Sequence, residues 1–450
     1  MNSFIQLPAR PNYWLCNARI PLALLADDAP TRSPISRFQT GHYCEDLVAV
    51  DVQIEAGQIR QLRPASAARP AENSQVDLGG GLIWPCFVDM HTHLDKGHIW
   101  SRTPNPNGTF DSALETVQKD REQRWQAADV YRRMVFGLKC SYAHGTQAIR
   151  THIDAFDEQA KVSFSVFQNL QREWADRIHL QAVCLVSLDY FMTQAGEQLA
   201  DLVAETGGVL GGVAYMTPDL AQQLDRVFSL AEDRGLDLDF HTDESLNPED
   251  ITLRYVAEAA IRHNFSGQIT CGHCCSLSVQ SPQAVDKTIS AVQAANISIV
   301  SLPMCNLYLQ DRQPSRMPRY RGVTLLPELK SRGVKVAIAS DNCRDPFFAY
   351  GDHDALEVFT QSARIGHLDH PYGDWPQAIT RTPAAMMGLP DVGYIGEGQP
   401  AELVLFKART LNELLARPQT DRVVIRQGRA IDTTLPDYAE LDDLMEPESR

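Results

Sequence analysis

Leu82-Ile83-Trp84-Pro85-Cys86-Phe87-Val88-Asp89-Met90-His91-Thr92-His93-Leu94-Asp95-Lys96-Gly97 is the stretch from which the fold is read. An apolar run leaves the triple-glycine turn at 79–81 and ends in two histidines one residue apart. In an extended strand residues i and i+2 share a face, so His91 and His93 can direct their imidazoles to one point. A buried strand that finishes this way suits a transition metal. A His-Thr-His triplet alone is equally what chance places in a surface loop. The decision therefore falls to the remaining strand ends, which would have to supply further ligands.

Working outward, the chain from about 82 to 389 alternates strand-like and helix-like segments. The apolar strand candidates are 82–91, 146–154, 178–187, 207–215, 236–244, 268–273, 297–303 and 334–341. Thr217-Pro218-Asp219, Asn247-Pro248-Glu249 and Ser281-Pro282 each place a capping residue before a proline suited to the first helical position. Leu220, Leu224, Val227, Phe228 and Ala231 form one apolar stripe, closed by Gly235. Eight such strand-then-helix units predict an α/β fold of the (β/α)8 barrel type. An open doubly wound sheet is the alternative, but the G-x-G-x-x-G turn that follows its first strand is absent. Both ends of the chain are β-rich. Segments 12–20 and 47–62, the latter with a Glu55-Ala56-Gly57-Gln58 turn, match 401–406 and 423–429. They predict one small β-sandwich domain made from residues 1–81 and 396–450, beside a barrel of 82–395. The last dozen residues, acidic and without apolar periodicity, read as a mobile tail or loose helix.

The chain has 450 residues, with 44% hydrophobic and 22% charged, enough for a large core. A net charge of −16 argues against a nucleic-acid partner, which needs a basic surface. The apolar run at 20–26 is interrupted by Pro21 and too short to span a bilayer, so no membrane role is expected. The ten cysteines are scattered except for Cys271, Cys274 and Cys275. That cluster lacks a second Cys pair to complete a zinc site and reads as packing. Reduced thiols and the lack of a targeting segment predict a cytoplasmic chain; homo-oligomerisation is left open.

At the C-terminal ends of the barrel strands, where such folds carry their chemistry, stand His91 and His93, Thr151-His152-Ile153-Asp154, His241-Thr242-Asp243-Glu244, Gly272-His273 and Ser340-Asp341-Asn342. Each alone is an ordinary structural residue. Five strands ending in this way point to a site.

These residues, together with Asn306-Leu307-Tyr308-Leu309-Gln310-Asp311-Arg312 and Asp341-Asn342-Cys343-Arg344-Asp345-Pro346-Phe347, resemble the amidohydrolase superfamily and within it the cytosine deaminase branch. The resemblance implies one divalent metal ion per chain, Zn2+ or Fe2+, held by His91, His93, His241 and Asp341. It implies that Asp341 takes a proton from water and that Glu244 delivers one to the ring nitrogen beside the attacked carbon. His273 would steady the nucleophile and the tetrahedral centre. A two-metal version of the superfamily uses a carboxylated lysine at the fourth strand. No lysine occurs between Lys161 and Lys287, which favours one metal.

The resemblance departs at the substrate. The position where the cytosine branch has a glutamine falls on Ser187, or near Leu188 and Asp189, with no glutamine there; Asn342 replaces a carboxylate, and Phe347 corresponds to a covering tryptophan. Lys96 could face substrate or form an ion pair. Trp100 and Arg102, in the turn-rich segment 97–108, could contact a ring or pack the loop. The expected activity is hydrolytic release of ammonia from a small aminated heterocycle (a cytosine-like base, a pterin or a triazine), with cytosine itself a poor substrate. An amidase or cyclic-amide hydrolase on the same fold is the alternative. A non-catalytic scaffold is disfavoured because every expected ligand is present.

Overall fold

The computed structural model describes residues 4–29, 37–40, 43–65 and 74–446. Two compact units divide the chain. One comprises Met1–Val88, Ser141–Gln147 and Ala355–Leu435, and the other Asp89–Cys140, Ala148–Asp354 and Pro436–Arg450.

In the first unit, strands from both ends of the chain join one nine-stranded sheet. Tyr13–Pro21 pairs antiparallel with Tyr43–Glu55, which turns back into Gln58–Pro64. Ala56 and Gly57 make that turn with φ of 50° and 84°, the doubly left-handed geometry that matches the twist of a two-residue hairpin. Leu82–Pro85 sits between the N-terminal strand Tyr13–Pro21 and the C-terminal strand Leu403–Phe406, so the sheet depends on both termini.

The expected first barrel strand is therefore corrected. Residues 82–91 are not one strand: Leu82–Pro85 belongs to the nine-stranded sheet, and a new strand, Phe87–Thr92, starts after Cys86. Both halves are buried along their whole length. Hydrophobic periodicity carries no mark of the break, because each half is covered on both faces.

Phe87–Thr92, Thr146–Asp154 and His179–Leu185 form one sheet, and Leu210–Val213, Leu238–Thr242, Ile269–His273, Ser298–Ser301 and Val336–Ile338 form a second, all parallel. Parallel bridges Val183↔Val209 and Ser187↔Val213 join the two sheets. Another, Thr92↔Asp341, joins the end of the last strand to the end of the first.

Helix starts are met in part. Ser281 caps Pro282–Ala294, accepting from the Ala284 amide at 3.3 Å, and Gly235 closes Leu220–Arg234 with φ 62°. Asn247-Pro248 does not start a helix. Asn247 instead closes a turn on Asp250, at 3.0 Å, and the helix Thr252–His263 begins later. Its first amides, Thr252 N at 2.5 Å and Leu253 N at 3.3 Å, donate to the Asp243 carboxylate, which serves as a cap from nine residues upstream. Likewise Leu220–Arg234 starts after Asp219, beyond Pro218.

Residues after Pro436 belong to the second unit. Tyr438 stacks on Phe136 at 5.6 Å, and Lys139 Nζ lies 2.6 Å from Glu440. The acidic end is thus packed as far as it is described; 447–450 lie outside the described residues. Nine cysteines are buried and unpaired with one another, while the side chain of Cys44 is not described. Among the described residues no helix is long and apolar enough to cross a membrane.

Candidate active site

The strand Phe87–Thr92 delivers His91 and, one residue past its end, His93. Leu238–Thr242 delivers His241, Ile269–His273 ends on His273, and Asp341 follows Val336–Ile338. His93 Nε2 lies 3.4 Å from His241 Nε2 and 3.2 Å from Asp341 Oδ1; His91 Nε2 lies 3.7 Å from the same oxygen. All four side chains are buried. Asp341 holds φ 64° and His273 φ 69°, a region non-glycine residues seldom occupy. Asp341 is fixed there by its amide donating to His91 O (2.8 Å) and by Thr92 Oγ1 donating to its carbonyl (2.9 Å). Backbone strain of this kind gathers at functional sites.

The polar atoms of this cluster are unusually unsatisfied. Both nitrogens of His91, Nδ1 of His93 and His241, and both carboxylate oxygens of Asp341 have no hydrogen-bond partner among the described residues. Burying such atoms unpaired costs about 1–3 kcal/mol each. Burial, followed by the neighbouring imidazoles and, for His93, Lys96, drives the His91, His93 and His241 pKa values well below the ordinary range. The rings are therefore neutral, with lone pairs free to bind a cation. Three imidazoles and a carboxylate with no other partner fit one divalent ion.

Beside this cluster stand Glu244, His273 and Asn306. Glu244 Oε1 is 3.2 Å from His273 Nδ1, and Asn306 Nδ2 donates to both, at 3.3 Å to Glu244 and 3.0 Å to His273. The Glu244 side chain is only 12% exposed. Burial, reinforced by the nearby Asp341 carboxylate, pushes the Glu244 pKa well above the usual carboxylate range. Burial lowers His273 to about 3. With Asn306 donating to Nδ1, the neutral His273 ring carries its proton on Nε2, which has no partner among the described residues. A ring nitrogen of His273 lies within 4.8 Å of the ligand atoms of His91 and Asp341.

A cavity of about 540 Å³ opens onto His93, His241, Glu244, His273 and Asp341. Lys96, Ser187, Asn342 and Phe347 line it, as the sequence suggested for substrate contacts. Lys96 makes the ion pair of its second reading, with Nζ 2.7 Å from Asp154 Oδ1, and Nζ also lies 5.5 Å from the centre of the Phe347 ring. Asn342 donates to Asp345 at 2.7 Å, so a carboxylate stands one side chain further back. Trp100 is not among the lining residues; its amide donates to Arg344 O at 2.8 Å. Arg102 is locked between Asp120 (2.7 Å) and Asp129 (2.5 Å), so it packs the loop and does not reach the cavity.

His152, for which the sequence offered no role, stacks 3.9 Å from His91 and lies 3.3 Å from Asp239, itself 2.7 Å from Arg150. Cys274 lies 3.4 Å from Thr242 Oγ1, and all three clustered cysteines are buried. Sequence reasoning missed the helix Phe110–Arg124, whose Phe110, Val117 and Arg121 form part of the cavity wall. Their spacing of seven and then four residues is a one-face helical stripe, a signal that was available. Asn306 lay in a motif that the resemblance singled out, yet only its burial against His273 shows what it does.

Comparison with known proteins agrees with this geometry. The model of the amidohydrolase family matches residues 107–435. A pterin deaminase of Rhizobium rhizogenes (strain K84 / ATCC BAA-868) is 49% identical over 441 residues, 98% of each chain. A crystal structure of 5-methylcytosine deaminase from Klebsiella pneumoniae, 24% identical, superposes with a TM-score of 0.79 over 94% of this chain and 98% of that one. N-isopropylammelide isopropylaminohydrolase from Burkholderia multivorans ATCC 17616, 21% identical, does so with a TM-score of 0.70 over 94% and 98%. The two structures share the fold. With a relative of such identity over nearly its whole length, and a family model matched across most of it, this chain is a member of the amidohydrolase family.

Proposed function

We propose that the hydrolytic deamination this chain performs is that of a pterin, with water replacing the exocyclic amine and ammonia released. The observation that carries the reading is Glu244: a buried carboxyl held against His273 and Asn306, its pKa raised by burial, at the edge of a metal-type ligand cluster and inside the cavity. The 49% identical relative, a pterin deaminase, supports the choice of ring. So does the cavity, which lies within the range of about 300–1,000 Å³ usual for small-molecule sites and has Phe110, Phe156, Tyr215 and Phe347 among its walls. Phe110 and Phe347 meet edge to face with centroids 5.5 Å apart, a surface on which a flat fused ring can pack.

Zinc or ferrous iron held by His91, His93, His241 and Asp341 would supply an acidified water at neutral pH. The protein's own part follows from its protonation states. Glu244 gives its proton to the ring nitrogen beside the amine-bearing carbon as the C–O bond forms and the C=N electron pair moves onto that nitrogen. His273 Nε2–H donates to the oxygen on which charge develops. Asp341 accepts the water's proton. The proton on Asp341 then reaches the amine, the C–N bond breaks with its electron pair leaving on ammonia, and the hydroxyl proton returns to Glu244 as the ring carbonyl forms. The bridges that link the two parallel sheets support a closed (β/α)8 barrel as the scaffold, and the nine-stranded sheet supports a β-sandwich built from both ends of the chain.

The test is ammonia release by metal-reconstituted enzyme from pterins, cytosine and aminotriazines in parallel. Because Ser187 and Asn342 line the cavity, a ring matched to other hydrogen-bonding edges leaves polar groups unpaired, a mismatch that costs up to ~10⁴-fold. Pterin should exceed cytosine in kcat/KM by at least about a hundredfold. Cytosine turned over as well as pterin would contradict the assignment.

A further inference from the structure

The second unit contains another meeting point of metal-type ligands, away from the cavity. His98, Cys343 and His353 are buried, and one ligand atom from each lies within 4.8 Å of the others. None of the three lines the cavity, and the reaction above gives them no part. The imidazoles face each other through Nε2, 3.2 Å apart. Their counterparts in the active site, His93 and His241, stand 3.4 Å apart through the same atoms. Two nitrogens held at ~2.0–2.1 Å by one tetrahedral zinc are about 3.3 Å from each other. Both pairs have that separation.

The surroundings are shaped around these side chains. His98 and His353 have φ of 62° and 54°, a conformation a histidine keeps only where its surroundings impose it. A Cβ on Gly137 would come within 3.0 Å of His353 Nε2, so the helix Ala127–His144 leaves room for the imidazole only because glycine stands there. His98 N donates to Cys343 O at 3.0 Å, which binds the segment after the first parallel strand to the segment after the last. The nearby cations are already engaged: Arg133 Nη2 lies 2.6 Å from Asp129, and Arg344 stacks 4.3 Å over Tyr438. A simple hydrogen bond between the two rings would use one Nε2 proton and leave His98 Nδ1 without a partner among the described residues.

We propose that His98 Nε2, His353 Nε2 and Cys343 Sγ hold a structural zinc ion. Binding releases the Cys343 proton to solvent and changes no oxidation state. The ion ties together the two segments that carry Lys96 and the pair Asn342 and Phe347 into the cavity. It also lies under the C-terminal segment, because Phe136 packs 4.7 Å from His98 on one side and stacks with Tyr438 on the other. This site is independent of the substrate assigned above.

The experiment is metal counting and cobalt spectroscopy on the full chain. After zinc loading and exhaustive dialysis the parent protein should retain two equivalents, one in each cluster. His98→Gln and Cys343→Ser should each retain one, and His241→Asn should retain the other. With Co2+ as probe, a near-ultraviolet thiolate-to-cobalt charge-transfer band should appear in the parent, His241→Asn and Cys305→Ser proteins and be lost in Cys343→Ser. Should the Cys343 and His98 variants fail to fold, the parent and His241→Asn proteins still decide the matter. A parent protein that keeps one equivalent and shows no thiolate band overturns the proposal, as does a band that survives Cys343→Ser.

Discussion

Two buried polar clusters of the same unit differ in one respect. Around Arg102, every charge has its partner. The guanidinium reaches Asp120 at 2.7 Å and Asp129 at 2.5 Å, Trp125 Nε1 donates to Asp120 at 2.8 Å, and Arg133 shares Asp129. Around His91, both of its own ring nitrogens, Nδ1 of His93 and His241, and both Asp341 oxygens have no hydrogen-bond partner among the described residues. Folding can retain unpaired buried groups only if something else satisfies them or if they are kept for a purpose. Saturated polarity marks the first cluster as framework. Unsaturated polarity marks the second as a place where a ligand belongs.

The contrast can be broken by mutation, and the largest effect should come from the unsaturated side. His241→Asn removes one ligand from a set of four; ammonia release should fall to background and the catalytic ion should be lost, while the far-ultraviolet circular dichroism stays that of the parent. Retained activity with that ion absent would show that the cluster is not the reactive centre. Next comes Glu244→Gln, which preserves size but cannot give up a carboxyl proton. It should keep its metal and its affinity for a product analogue while losing ~10²–10⁴-fold in kcat. Near-normal turnover would make Glu244 a structural carboxylate and weaken the deaminase mechanism toward an amidase one. Asn306→Ala should cost less, roughly 10–100-fold in kcat with KM little changed, because it holds His273 and Glu244 in place without touching the reacting atoms. A positioning role also predicts a displaced acid limb in the pH–rate profile, which a merely destabilised variant would not show. The smallest effect on turnover belongs to Arg102→Met. Leaving Asp120 and Asp129 short of a cation should remove about 3–5 kcal/mol of stability, read by denaturant unfolding, with kcat of the folded protein near that of the parent. A variant of normal stability and depressed kcat would reverse the assignment of the two clusters.

The proposed ligand set was legible because strand ends announce themselves. An apolar run that stops at His91-Thr92-His93, or at His241 with Glu244 three residues on, is visible without coordinates. Other features were hidden for physical reasons. The break at Cys86 leaves no trace, since Leu82–Pro85 and Phe87–Thr92 are equally buried in different sheets. Arg102 could not be separated from a substrate contact, because its partners Asp120 and Asp129 lie on helices whose approach to the loop is a tertiary fact. Asp243 was read only as part of a strand end, although it caps Thr252–His263 and so helps set the strand end that carries His241 and Glu244.

The claim on which the rest depends is that water replaces an amine and leaves the ring closed. The direct measurement is to run the metal-reconstituted enzyme on pterin in ¹⁸O-labelled water and follow ammonia together with the mass of the product. The account predicts one ammonia per turnover and a closed-ring product carrying a single ¹⁸O at the carbon that bore the amine. A product that has gained the elements of water with no ammonia released, or an unlabelled carbonyl at that carbon, would contradict it.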